Sequence, residues 1–123
     1  MFRLVLRALV FAMLVACLAL GQTSKPGSHS GASFVGRWEV GTGVGSQTFY
    51  LTLEPDGKAT KTQGAPNGKW KMYGDEVRIT WDDGWQDVIR KAGSHYEKAA
   101  YAPGKSFSDP PSNITGATRT EPL

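Results

Sequence analysis

The sequence predicts an all-β protein, an antiparallel meander of about seven short strands that forms a small barrel or sandwich after a signal peptide and a flexible tether. Two observations lead to this prediction. Apolar and polar residues alternate with period two through the middle of the chain, and no stretch of a dozen residues keeps the 3.6-residue period of a helix. Strong turn signals interrupt the alternation at regular intervals, at Pro55-Asp56-Gly57, Gly74-Asp75, Asp83-Gly84 and Ala92-Gly93.

Residues 1–21 have the layout of a signal peptide. Arg3 and Arg7 provide positive charge ahead of an unbroken apolar run over residues 8–20. As a helix this run spans only about 20 Å, which is shorter than the ~30 Å hydrocarbon core of a bilayer. The segment is therefore predicted to be an export signal, and the protein is expected to leave the cytoplasm.

Two cleavage sites compete within this leader. Residues 19–21, Ala-Leu-Gly, have the small-x-small form that signal peptidase cuts, which places cleavage after Gly21. Residues 14–17, Leu-Val-Ala-Cys, resemble the lipobox of bacterial lipoproteins. That resemblance implies cleavage before Cys17, a lipid on its sulfur and a membrane partner. The expected location is accordingly the bacterial cell envelope, through the lipid, or the periplasm or extracellular space.

The mature chain divides into three parts by composition. Residues 22–33 have no apolar period and are predicted to be a flexible linker. Residues 34–101 are predicted to form the small β-barrel-like domain. Residues 102–123 contain several prolines and are predicted to be a Pro/Gly-rich C-terminal tail. Within this tail, Asn113-Ile114-Thr115 matches a glycosylation acceptor, and Ile114 offers the alternative of a short strand docked on the sheet.

The predicted strands follow from the alternating apolar positions, which are Trp38 and Val40, then Phe49, Leu51 and Leu53, then Trp70 and Met72, and then Val77, Ile79 and Trp81. A weaker strand is predicted over residues 58–63, and two more over 85–91 and 94–101. Each strand is apolar on one side only, so one face of the sheet packs in the core and the other faces solvent. Tyr50, Tyr73 and Tyr101 have outward parity and would form a binding face if they cluster.

The turn at Asp83-Gly84 decides which way Asp87 points. A two-residue loop leaves Asp87 on the outer face of the sheet. A three-residue loop with Gly84 in the left-handed conformation pairs Trp81 with Trp85 and turns Asp87 inward. The sequence favours the three-residue loop because it buries more apolar area.

The next hairpin, through Ala92-Gly93, is predicted to pair Asp87 directly with Lys98 across two strands. If this pair lies inside the barrel, it marks a polar site, because buried charges persist only when they are paired and hydrogen-bonded. If it lies outside, it is a surface ion pair worth about 0.2–1 kcal/mol with no functional meaning. Ion pairs at protein surfaces are the commoner case, and for the pair as a whole this frequency favours the outside position.

Several function classes are disfavoured by composition and motif. No common catalytic, metal-binding or nucleotide-binding motif occurs, so no catalytic residue, metal or cofactor is predicted and an enzyme is not expected. The small body also leaves little room for a cleft that excludes water. Without Arg3 and Arg7, 12 of the 14 basic side chains remain against 11 acidic ones. This near-neutral balance argues against nucleic acid as a partner.

Gly36-Arg37-Trp38, at the start of the first strand, resembles the Gly-x-Trp signature of lipocalins and their calycin relatives, small barrels that mostly bind apolar ligands. The resemblance implies that Trp38 closes one end of the barrel and packs under an arginine from near the end of the chain, either Arg90 or Arg119. The sequence departs from the family in two respects. No helix follows the last strand, and strands of about six or seven residues are shorter than those that enclose a lipid-sized cavity.

The expected function is non-catalytic: binding, or an envelope-structural role, by an exported monomer whose partner is a protein, a glycan or a small apolar ligand. One alternative is a periplasmic protease inhibitor of calycin-like fold, in which residues 22–33 would enter the protease. Another is a carrier of a small hydrophobic ligand. The tryptophans are expected mainly to pack in the core of a barrel whose own side chains fill its interior. The candidate ligand-binding residues are Trp38, Trp70, Trp81, Trp85, Asp87 and Lys98.

Overall fold

The computed structural model describes residues 31–121, in which eight antiparallel strands close into a barrel. The strands are β1 (Gly36–Gly41), β2 (Thr48–Leu53), β3 (Lys58–Lys61), β4 (Asn67–Tyr73), β5 (Glu76–Trp81), β6 (Gln86–Ala92), β7 (His95–Tyr101) and β8 (Asn113–Glu121). Each strand pairs with the next along the chain, and β8 pairs back with β1. The predicted all-β meander is confirmed, and its form is a barrel.

The leader, Cys17 and residues 22–30 of the predicted linker lie outside the described residues. The last three linker residues, Gly31–Ser33, form a short 3-10 turn against the end of the barrel. Within residues 31–121, this turn is the only helical element, and none there has the length and apolarity to cross a membrane.

The folded body extends beyond the predicted boundary at Tyr101, because β8 lies within the segment that was predicted to be a tail. Its nine residues pair with β7 on one side and with β1 on the other, and Ala117 faces both Tyr96 and Val40. Ala117 is the buried residue of this strand, so β8 lacks the strong apolar alternation that identified the other strands. It is held by backbone pairing that removes both edges of the sheet.

The inward positions of the strands form one hydrophobic core. A cluster of aromatic rings lies at the end of this core where β1 begins and β8 ends, which we call the closed end. Trp38 stacks on Phe34 with 5.9 Å between ring centroids and meets Tyr96 edge-on at 5.3 Å. The Trp38 indole N–H donates to the carbonyl of Phe34 at 2.9 Å. Trp70 likewise donates to the carbonyl of Glu54 at 2.8 Å. Aromatic side chains therefore seal this end.

A second, smaller cluster lies on the outer face of the barrel, where Phe107 from the β7–β8 loop covers Val88, Ala99 and Tyr101. Tyr101 has the predicted outward parity, but it is buried because Phe107 packs edge-on against it with 5.5 Å between centroids. Tyr50 and Tyr73 lie on β2 and β4, under Arg37 and Arg78 respectively. Arg78 also lies over the Phe107 ring, so Tyr73 and Tyr101 are linked through Arg78 and Phe107. Tyr50 has a different partner, Arg37, so only two of the three tyrosines share one patch.

Candidate functional site

The end of the barrel opposite Trp38, which we call the mouth, is where the loops of residues 42–47, 62–66, 82–85 and 102–112 meet. A cavity of about 270 Å³ opens at the mouth. Its charged and aromatic lining residues are Phe49, Lys61, Asp83, Trp85, Asp87 and Lys98, with Asn113 beside them. The mouth thus combines charged groups with aromatic walls, whereas the closed end is filled by aromatic rings.

The loop between β5 and β6 directs Asp87 into the barrel. Gly84 has a left-handed φ of 91°, and the amide of Trp81 donates to the carbonyl of Trp85 at 2.9 Å. Ile79 consequently pairs with Asp87, so Asp87 belongs to the inward set. The predicted three-residue loop is confirmed.

The following hairpin differs from its prediction by two residues. Its turn closes over Gly93 and Ser94, so Asp87 faces Ala100 and not Lys98. The predicted direct pairing is therefore wrong. A shift of two residues keeps every side chain on the same face, however, so Lys98 remains inside the barrel as a diagonal neighbour of Asp87.

Asp87 and Lys98 form an ion pair inside the barrel. Only 4% of Asp87 and 3% of Lys98 are exposed, and Lys98 Nζ lies 3.6 Å from Asp87 Oδ1. The inward position implied by the three-residue loop is therefore confirmed, and the outside position expected from the frequency of surface pairs is wrong. Burial of the carboxylate is supported by the indole N–H of Trp81, which donates to Asp87 Oδ2 at 2.8 Å.

The ammonium group of Lys98 is held in an unfavourable environment. Burial lowers the pKa of Lys98 below its ordinary value of 10.5, and the charge of Asp87 offsets that effect only in part. The positive charge of Lys61 lowers this pKa further. The Phe49 ring centroid lies 5.1 Å from Lys98 Nζ and adds an apolar wall with a favourable cation–π geometry.

A second ion pair lies closer to the rim of the mouth. Lys61 Nζ is 3.3 Å from Asp83 Oδ2 and 4.5 Å from the centroid of the Trp81 ring. Asp83 Oδ1 accepts a hydrogen bond from the backbone amide of Trp85 at 3.1 Å. Burial by itself raises the pKa of Asp83, but this amide bond and the Lys61 ammonium together bring it below its ordinary value. Asp83 is therefore held as a carboxylate.

Asn113, the first residue of β8, completes the lining with an unsatisfied acceptor. Its Oδ1 is buried and accepts no hydrogen bond from any group in residues 31–121. The side chain packs against the backbone at Gly43, where an added Cβ would lie 2.8 Å from Asn113 Cγ. Buried polar atoms are nearly always hydrogen-bonded, so an acceptor in this state beside a cavity points to a donor outside the described residues, such as a bound molecule.

The six predicted ligand-binding candidates divide between the two ends of the barrel. Trp85, Asp87 and Lys98 line the mouth, and Trp81 supports it through its contacts with Asp87 and Lys61. The other two, Trp38 and Trp70, belong to the packed core at the closed end.

The sequence interpretation missed four residues of the mouth. The sequence pattern assigns Phe49 to the core, Asp83 to a turn and Asn113 to the tail, so it indicates no role at the mouth for any of them. Lys61 could have been found from parity, because it faces Leu51 across the β2–β3 pair and therefore shares the inward face of that buried leucine.

The mouth provides ion pairs and aromatic walls, and residues 31–121 contain no group of three or more His, Cys, Asp or Glu side chains arranged to hold a metal ion. The arrangement is chemically suited to hold a small polar molecule through charge-assisted hydrogen bonds and stacking. Comparison of the chain with protein-family models, with curated proteins and with solved structures gives no match.

Proposed function

We propose that the protein is an exported, non-catalytic β-barrel module that binds a small molecule in its mouth. The main support is the cavity, which brings the buried Lys98–Asp87 pair and the unsatisfied Asn113 Oδ1 together at one end of the barrel. Replacing a buried ion pair by well-packed apolar residues is often neutral or stabilising. Stability alone therefore does not account for this pair.

The size of the cavity favours a metabolite over a lipid. Its volume of about 270 Å³ is just below the range of roughly 300–1,000 Å³ that is typical of sites for drug-sized ligands. The polar lining disfavours the alternative of a purely hydrophobic ligand, since such a ligand would leave Asn113 Oδ1 without a donor and would add no acceptor for the ammonium of Lys98. A small ligand with polar groups agrees best with both observations.

The closed end supports a lipocalin-like assignment, which is part of this proposal. Arg119 faces Trp38 across the β1–β8 pair, and its guanidinium donates to the carbonyl of Val35 at 3.0 and 2.6 Å. Of the two arginines that the resemblance implied, Arg119 is thus the one beside Trp38. Arg90 pairs instead with Glu97 at 3.0 Å on the outer face.

Export and anchoring are proposed from the leader alone. Its charged start and short apolar run favour export, and the lipobox at Cys17 favours a lipid anchor in a bacterial envelope. The test is the intact mass of the mature protein purified from its own cell envelope. A lipidated N-terminal Cys17 would establish the anchor, a chain beginning at Gln22 would establish secretion without a lipid, and an uncleaved chain would contradict both.

Binding in the mouth is tested by a library of small polar molecules screened by NMR against the mature protein. We expect the hits to shift the indole resonances of Trp81 and Trp85 and the side-chain amide of Asn113. A Gln63→Trp variant should block these shifts, because Gln63 is exposed and lines the cavity.

The matched control is Val44→Trp. Val44 is also exposed in a mouth loop but does not line the cavity, so this variant should leave binding unchanged. Hits that bind equally well to the Gln63→Trp variant, or a library without hits at the mouth resonances, would contradict the proposed function.

A further inference from the structure

We infer that the mouth takes a small carboxylate that also carries a hydroxyl or amino donor and an apolar body. This inference rests on the proposed function and specifies its ligand class. It follows from which hydrogen-bonding groups of the mouth are already paired and which are not.

The carboxylates of the mouth are already occupied. Both oxygens of Asp83 accept a hydrogen bond, one from the amide of Trp85 and the other from Lys61. Asp87 receives the indole N–H of Trp81 on Oδ2 and faces Lys98 with Oδ1. Both acidic side chains thus already have a lysine as counter-ion, and a cationic ligand would compete with Lys61 and Lys98 for them.

The ammonium groups of Lys61 and Lys98, in contrast, have N–H donors without a close acceptor among the described contacts. Each lysine has three N–H donors, yet Lys98 meets Asp87 only at 3.6 Å and Lys61 meets Asp83 at 3.3 Å. Both distances exceed the ~2.7–2.9 Å of a good charge-assisted hydrogen bond. The two cations also act on each other, since the charge of Lys61 opposes that of Lys98. An anion between them would supply acceptors and relieve this repulsion, and a carboxylate is the small organic group that does both.

Asn113 and the aromatic walls define the rest of the ligand. The Oδ1 atom of Asn113 is an acceptor with no partner in the described chain, so it requires a donor such as a hydroxyl or an amine. Phe49 and Trp85 line the same cavity and are only partly buried, so each has a surface for an apolar body. The cavity volume limits that body to about the size of one aromatic ring or a short branched chain.

Three related probes separate these features. 3-Phenyllactate carries the carboxylate, the hydroxyl and the ring, 3-phenylpropionate lacks the hydroxyl, and 3-phenyllactamide lacks the charge. In calorimetric titrations of the mature protein we expect phenyllactate to bind tightest. Phenylpropionate should bind about tenfold more weakly, because the buried acceptor of Asn113 stays unsatisfied. Phenyllactamide should lose about 100-fold or more, because it cannot accept charge-assisted hydrogen bonds from the two ammonium groups.

Two variants and one control assign the effect to the mouth. Lys98→Met and Lys61→Met should each weaken phenyllactate binding at least tenfold. Lys69→Met, which removes an exposed lysine that does not line the mouth cavity, should leave it unchanged. Circular dichroism checks each fold, and if Lys98→Met does not fold, Lys61→Met decides the question.

The outcomes separate the ligand class from the proposed function. Equal binding of phenyllactamide and phenyllactate would overturn the role of the charge, and equal binding of phenylpropionate would overturn the role of the donor. If none of the probes binds at millimolar concentration while the NMR library gives other hits that Gln63→Trp abolishes, the ligand class is wrong and the mouth remains a binding site. If neither experiment gives a hit, both proposals fail.

Discussion

The two ends of this barrel use tryptophan in opposite ways. At the closed end, the indole N–H groups of Trp38 and Trp70 donate to backbone carbonyls, and their rings fill the space between the strands. At the mouth, Trp81 donates to the carboxylate of Asp87 and lies under the ammonium of Lys61. Trp85 lines an open cavity.

The partner of the indole N–H separates the two roles: Trp38 and Trp70 donate to backbone carbonyls and fill the core, whereas Trp81 donates to a carboxylate and supports a charged site. Satisfying an indole N–H with a carbonyl completes a packed end and leaves no further polar group to pair. Satisfying it with a carboxylate places a charge inside the barrel, which then requires Lys98 and the polar surroundings of the mouth. The closed end is therefore expected to dominate stability, and the mouth to dominate binding.

Removal of β8 should have the largest effect, because this strand contributes Arg119 to the closed end and Asn113 to the mouth. We expect a chain that ends at Tyr101 to remain unfolded, since it exposes the edges of β1 and β7 and opens the core. A chain that ends at Glu121 should fold like the mature protein. The check is circular dichroism with amide hydrogen exchange, and native-like protection in the shorter chain would contradict the closed barrel.

Trp38→Ala should be the most destabilising single substitution at the closed end. The side chain is 1% exposed, and truncation of a fully buried aromatic residue typically costs about 3–5 kcal/mol. Trp85→Ala at the mouth should cost only about 1 kcal/mol, because that ring is partly exposed. Urea unfolding measures both free energies. Equal losses at the two positions would remove the contrast between the ends.

Asp87→Ala should also be strongly destabilising, by about 3 kcal/mol or more, because it leaves Lys98 buried without its counter-ion. It also removes the acceptor of the Trp81 indole. The matched control is Glu97→Ala, which breaks the partly exposed pair with Arg90 and should cost less than about 1 kcal/mol. If thermal unfolding finds similar small losses for both variants, the pair at the mouth is not buried.

The free energy of unfolding should also depend on pH through Lys98, and this effect should be smaller than those of the substitutions above. The pKa of Lys98 is lowered in the folded protein, so between that value and 10.5 the unfolded chain binds more protons than the folded one. The free energy of unfolding should therefore rise as pH increases through this interval. Lys98→Met should lose that rise, while Lys91→Met, at an exposed lysine, should keep it. Parallel pH profiles for wild type and Lys98→Met would contradict the lowered pKa.

Much of the barrel follows from local patterns in the chain. Period-two alternation predicts the strands from Trp38 to Trp81 because their inward residues are large and apolar. The three-residue loop at Gly84 follows from the area that its register buries, and it predicts the inward position of Asp87 correctly. These features depend on neighbouring residues, so one sequence is sufficient to recognise them.

The remaining features depend on contacts between distant parts of the chain. The full length of β8 escapes prediction beyond the short strand suggested at Ile114, because Ala117 is its only buried position and its stability comes from pairing with β1 and β7. The register of the β6–β7 hairpin depends on whether Gly93 begins or ends the turn, and composition does not distinguish the two. The mouth combines residues from five strands and three loops, so its charges become a site only when the barrel closes.

Titration of the Lys98 side chain, followed by NMR of its Cε and Nζ nuclei with and without 3-phenyllactate, tests at once whether this ammonium is buried and whether it binds an anion. We expect a midpoint below that of the exposed lysines, because the ammonium is buried at the mouth. Addition of phenyllactate should raise the midpoint, since a bound carboxylate stabilises the charged form. A midpoint equal to that of Lys69 and unchanged by phenyllactate would contradict both the buried charge and its role in binding an anion.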